Sequence, residues 1–130
     1  MAKTSRRPQR QKISNIKRGE IYLVSFDPTV GHEIKKTRPA LIIQNDIGNR
    51  YSPLTIMAAI TSRISPVPFP VEVVIEASSA NGLATRSAIR LDQIRTVDRQ
   101  RLIKCLGVID SGTLAKVDRA VQISLGLTEV

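Results

Sequence analysis

Tryptophan is absent from these 130 residues, and two tyrosines and two phenylalanines are the only rings of that class. The core must therefore be filled by Ile, Leu and Val. Any stacking of bases on protein rings is confined to Tyr22, Phe26, Tyr51 and Phe69. Cysteine occurs once, as Cys105, which excludes a disulfide framework and a cysteine-based zinc cluster. Its apolar neighbours mark it as a small core residue. Histidine also occurs once, as His32, so a ribonuclease with two imidazoles as acid and base is impossible. One His and one Cys do not make a typical transition-metal site. The acids are scattered rather than clustered, and no Walker A, GxGxxG, GxSxG or HExxH pattern occurs. No cofactor and no metal is expected. No apolar run approaches the roughly 20 residues needed to cross a membrane. The basic beginning lacks the apolar segment of a secretory signal, so no membrane partner and a cytoplasmic location are expected.

What is present is positive charge, +9 overall, unevenly spread. Residues 1–18 hold seven cations and no acid, whereas all eleven acids lie beyond them with the other thirteen cations. Residues 1–16 read as a basic, disordered arm, and 17–130 as one domain with a normal hydrophobic share of 42%. Such an arm attracts RNA and DNA alike through counterion release, and serves equally as a solubilising extension.

Along the domain, β-branched runs predict strands over 20–26, 39–44, 55–61, 71–75 and 87–91, with 93–96 continuing the last past a bend. Residues 45–52, polar and containing Gly48, are expected to be a loop. One helical turn fits 98–101, and a further strand fits 103–109. Leu114, Val117, Ala120, Val121 and Leu125 recur at spacings of three and four, marking an amphipathic helix capped by Ser111, running to about Ser124 and ended by Gly126. Short strands followed by one helix predict a small, mostly antiparallel β-barrel with the helix packed on it.

Two stretches offer chemistry. Between Asp27 and Asn49 a polar loop holding His32, Glu33, Lys35, Lys36 and Thr37 runs into Arg38 and a strand. In 87–96, Arg90 and Asp92 share a strand face. Without metal ligands, phosphoryl chemistry would rest on RNA supplying its own 2′-hydroxyl. The protein would position that oxygen, stabilise the phosphorane and protonate the leaving oxygen. Arginine suits the charge-stabilising role because its fork matches two phosphate oxygens. Each of these residues also has a plainer role. Arg90 and Asp92 can be a surface ion pair, Thr61 a strand-end hydrogen bonder, and Gln44, Asn45 and Asp46 turn formers.

Six segments taken together resemble one family. R-G-E-I-Y-L-V (18–24), D-P-T-V-G-H-E (27–33), T-R-P-A-L-I-I-Q-N-D (37–46), A-A-I-T (58–61), D-Q-I-R-T-V-D (92–98) and V-D-R-A-V-Q-I-S-L-G-L (117–127) are similar to the MazF/PemK toxins of bacterial toxin–antitoxin modules. The resemblance implies an SH3-like barrel with a C-terminal helix, homodimeric, and a metal-independent endoribonuclease. Such an enzyme cuts single-stranded RNA to 2′,3′-cyclic phosphate and 5′-hydroxyl ends. It implies Arg38 and Thr61 as catalytic residues by one branch of the family. By the other it implies His32, Arg90 and Asp92, with Glu33 beside them as a catalytic or RNA-binding residue. Lys35, Lys36, Gln44, Asn45, Gln93 and Arg95 are the further RNA-binding candidates. The partner it implies is a cognate antitoxin with an acidic C-terminal segment. The alternatives are a same-fold toxin of DNA gyrase, whose Trp motif is missing here, and a non-catalytic RNA-binding module.

Overall fold

The computed structural model describes residue 13 and residues 15–26 and 37–130. Most of the basic arm and the loop 27–36 lie outside these.

Short, nearly continuous apolar runs form the strands, because residues on both of their faces are buried. β1 (Glu20–Ser25), β2 (Thr37–Ile42) and β3 (Leu54–Thr61) send successive residues to opposite faces, and both faces are covered. β4 (Glu72–Ile75), β5 (Ser87–Asp98) and β6 (Leu102–Val108) complete one antiparallel sheet in the order β4-β5-β3-β2-β1-β6. On one face Ile21, Leu41, Ala58, Ile60, Ile89 and Leu91 pack with Val117 and Ala120 of the C-terminal helix. On the other, Tyr22, Val24, Ala40, Ile42, Met57, Val97 and Leu102 form a second core under Ile16. Each buried Ile, Leu or Val contributes about 1.5–3 kcal/mol.

β4 and β6, the two edges of the sheet, are not paired with each other among the described residues, so the ladder is open rather than a closed barrel. The gap is narrowed by the turn after β4, where the Val108 amide donates to the Ala80 carbonyl at 2.9 Å. This approach requires glycine. A Cβ on Gly107 would lie 2.2 Å from the Ala80 oxygen, and one on Gly82, at φ +71°, would lie 2.0 Å from the Leu106 oxygen. Gly107→Ala is expected to cost about 2–3 kcal/mol from overpacking against backbone. Urea unfolding of the variant checks this, and an unchanged midpoint would contradict the contact.

Three expectations need correction. Residues 45–52 are not a loop: Asp46–Tyr51 form a short helix, α1, capped by the Asn45 side chain accepting from the Gly48 amide at 2.8 Å. Gly48 is there for close packing, since a Cβ would meet the Gln44 side chain at 2.9 Å. Cys105 is exposed on the edge strand rather than buried, although partial burial and then Glu20 raise its thiol above the ordinary value. The cap of the long helix α2 (Ser111–Ser124) is Asp110, which accepts from the Thr113 amide at 2.7 Å, not Ser111. Leu125, at the end of the stripe, is exposed. Gly126 ends α2 as expected, at φ +75°, its amide bonded to Ile123 and that of Leu127 to Gln122, a Schellman closure.

Candidate active site

A hollow opens on the sheet beside the second core. Phe26, Arg38, Met57, Ala59, Asp92, Gln93, Ile94 and Arg95 line a pocket of about 300 Å³. Met57 and Ala59 alternate along β3 on one face, and the small Ala59 leaves the space. Arg38 lies inside β2, not in the preceding loop, and pairs across with Val24 of β1. The ladder therefore fixes its backbone. Its side chain is exposed, and no described residue forms a hydrogen bond or ion pair with it.

The opposite wall comes from an irregularity. Ala59 faces Arg90 while the adjacent Ala58 faces Ile94, so residues 91–93 of β5 bulge out without partners on β3. Leu91 turns inward to the first core, and Asp92 and Gln93 line the pocket. The expected bend in this strand is that bulge.

Arg90 stands behind the bulge and is firmly held. Its Nε and Nη2 donate to the two oxygens of Asp92 at 3.0 and 2.8 Å. Nη1 lies 3.5 Å from Glu72, whose side chain is almost fully buried and also accepts from the Ser65 amide and hydroxyl at 3.2 Å. The Phe69 ring packs on the same guanidinium, 5.2 Å from its centroid. The hydrogen bonds from Arg90 hold the Asp92 carboxyl below the usual carboxylate range, while those to Asp92 raise Arg90. Two carboxylates already claim Arg90, whereas Arg38 is uncommitted among the described residues.

The other candidates divide by place. Thr61 ends β3, half-buried, its Oγ1 accepting from the Arg63 amide at 3.1 Å, which leaves its own proton free to donate. It does not line the pocket, but continuing the β2–β3 register two rungs beyond Ala40–Ala59 sets it level with Arg38. Gln93 and Arg95 are in the pocket, Arg95 lying 4.9 Å from the Phe26 centroid. Gln44 and Asn45 are elsewhere. Gln44 donates to Asn49 and the Leu54 carbonyl, and Asn45 caps α1. His32, Glu33, Lys35 and Lys36 lie outside the described residues. The residues missed by sequence reasoning are Met57, Ala59, Ile94 and the anchor Glu72. Alternation along T-I-M-A-A-I-T signals the first two, and nothing local signals Glu72.

A family model for the PemK-like, MazF-like toxins of type II toxin–antitoxin systems matches residues 17–125. The chain belongs to this toxin family. Endoribonuclease EndoA of Bacillus subtilis (strain 168) is 46% identical over 114 residues, which is 88% of this chain and 97% of that protein. An endoribonuclease from Mycobacterial species superposes with a TM-score of 0.73 at 21% identity, over 92% of this chain and all of that one. MazF of Deinococcus radiodurans, solved with MazE, gives a TM-score of 0.72 at 27% identity, over 87% of this chain and 97% of that one. This PemK/MazF-like chain is therefore an endoribonuclease toxin, which sets aside the gyrase-directed and non-catalytic readings. Among the described residues no helix is long and apolar enough to cross a membrane, and no cluster of three or more metal-ligating side chains forms.

Proposed function

We propose that the toxin cleaves single-stranded RNA without a metal ion, by attack of the 2′-hydroxyl on the adjacent phosphate. The products are a 2′,3′-cyclic phosphate and a 5′-hydroxyl. The observation that carries this reading is the contrast between an uncommitted Arg38 lining the pocket and a fully engaged Arg90 that only backs its Asp92 wall. Arg38 meets the charge that develops on the phosphorane, because no carboxylate among the described residues competes for its fork. The Thr61 hydroxyl donates to the phosphate or orients the 2′-oxygen. Asp92, kept anionic by Arg90, accepts a hydrogen bond from substrate and is too weak a base to carry the proton away. Proton transfer falls to His32 or to Glu33, both on the segment leading into Arg38 in sequence.

Gln93 can hydrogen-bond an unpaired base edge beside the Phe26–Arg95 stack, and a paired base would not enter the pocket. Lys35 and Lys36, just before Arg38 in sequence, add positive charge for the RNA backbone. Gln44 and Asn45, committed within α1, leave the RNA-binding set. The partner is a cognate antitoxin whose acidic C-terminal segment competes for the same cations. The active form is a homodimer of an opened SH3-like barrel spanning 17–130. The exposed Val67, Val74, Leu127 and Val130 supply apolar surface for it. The protein acts in the cytoplasm.

The test is incubation of the purified toxin with a mixed single-stranded RNA pool in EDTA, with the ends identified. Cyclic phosphate and 5′-hydroxyl at defined sites are expected. Dependence on added metal, or equal cutting of the same site inside a duplex, would overturn the reading.

A further inference from the structure

All three aromatic rings that reach the surface carry an arginine. Arg95 lies 4.9 Å from the Phe26 centroid, Arg90 5.2 Å from that of Phe69, and Arg50 5.3 Å from that of Tyr51. The fourth ring, Tyr22, is buried in the second core. Phe26 lines the pocket, and Phe69 stands behind its wall through Arg90 and Asp92. Tyr51 is apart from both, and nothing in the mechanism uses it.

Its place follows from the packing of α1. Thr55, Met57 and Ala59 share one face of β3, and Thr55 Oγ1 donates to Asn49 Oδ1 at 2.8 Å. Helix α1 therefore sits on the face of the sheet that holds the pocket. Leu54, where α1 joins the strand, is five residues from Ala59, about 16 Å along it. At the α1 end of the strand, the Arg99 guanidinium is bonded to the Asn49 and Ser52 carbonyls and fixes the helix there. Tyr51 is 74% exposed at the end of this line. The nearby acids are occupied. Asp46 accepts from the Arg18 amide and Asp98 from the Gln100 amide, whereas Arg50 has only the ring among the described residues.

We propose that Tyr51, backed by Arg50, is a second stacking station for unpaired RNA, holding a base that flanks the segment in the pocket. A ring with a guanidinium on one side presents its other face to any base, and this is how sequence-tolerant single-strand binders hold successive nucleotides. The station adds affinity for longer RNA and does not take part in bond cleavage. It rests on the reading of the pocket as the RNA site.

The experiment uses one cleavage site, mapped from a mixed pool, in two RNAs. One is trimmed to the pocket segment, and the other is extended on both flanks with 2-aminopurine placed at successive positions. Tyr51→Ala is expected to raise KM on the extended RNA about tenfold with kcat unchanged, and to leave the trimmed RNA unaffected. Tyr51→Trp restores binding. One flank position is quenched by the parent protein and not by Tyr51→Ala. Equal weakening on both RNAs, or none on the extended one, overturns the station. So does an unchanged KM together with lost binding of a synthetic acidic, apolar peptide, which marks α1 as a protein-docking surface because Ile47 beside it is also exposed. Failure of the parent protein to cut either RNA strikes the nuclease mechanism instead, which keeps the two failures apart.

Discussion

Arg38→Ala is expected to lower the rate of RNA cleavage by about a thousandfold while leaving the fold intact. Removing one preorganised donor to a developing oxyanion costs about 10²–10³ in kcat, and removing an arginine that spans a transferring phosphoryl group costs about 10³–10⁵. Arg38 has both attributes. Its backbone is held by the β1–β2 ladder, opposite Val24, and its fork is exposed at the pocket without a competing acid among the described residues. The same exposure means that its removal leaves no buried group unsatisfied, so the thermal midpoint should stay within a degree or two of the parent's. Arg38→Lys keeps the charge and loses the fork, and should recover only part of the rate. Single-turnover cleavage of the mapped site, read beside thermal denaturation, decides the matter. A folded Arg38→Ala protein that cuts at the parental rate would transfer the phosphate role to another cation.

The largest expected loss of stability is at Asn49, far from the chemistry. The side chain is fully buried, and all of its hydrogen-bonding capacity that the described residues reveal is used. Nδ2 donates to the Gln44 carbonyl at 2.9 Å and to Asp46 at 3.2 Å. Oδ1 accepts from Thr55 Oγ1 at 2.8 Å and from Gln44 Nε2 at 3.0 Å. Asn49→Ala strands the buried Thr55 hydroxyl and the Gln44 carbonyl, at about 1–3 kcal/mol for each group, and leaves a small void. We expect a loss of about 3–5 kcal/mol in urea unfolding. Asn49→Asp should also destabilise, because it places an anion where Gln44 offers a carbonyl oxygen and Asp46 already bears charge. A loss under about 1 kcal/mol for Asn49→Ala would show that the network relaxes or hydrates freely.

Much of the fold was legible because its signals are local. The β-branched, apolar runs in 20–25 and 54–61, and the three-four spacing of Leu114, Val117, Ala120 and Val121, are set by the geometry of single elements. Six strands and a closing helix follow from them. The errors were also physical. Helix α1 was hidden because Gly48, read as a turn former, makes room for the Gln44 side chain. Cys105 was misplaced because one strand of an open sheet has an exposed edge, and composition does not say which. Pro39 resembles a strand entry and so puts Thr37 and Arg38 in the loop by sequence, whereas the partner strand β1 extends the ladder past it to Ser25.

The candidate site divides in the same way. Arg38, Thr61, Arg90, Asp92, Gln93 and Arg95 were visible as side chains with the right chemistry at the ends of strands, and the family motifs, which are contiguous in sequence, carried their likeness. Which arginine is available was not visible. That depends on Glu72, eighteen positions from Arg90 along the chain and facing it across the β4–β5 pair. It depends also on a bulge that exists only because β5 carries three more residues than β3 can match. Local periodicity sufficed for the elements and motifs of this toxin, because backbone geometry acts over a few residues. Only the tertiary structure decided how the charges pair and where the pocket opens, because electrostatic partners and packing voids are set by residues distant in sequence.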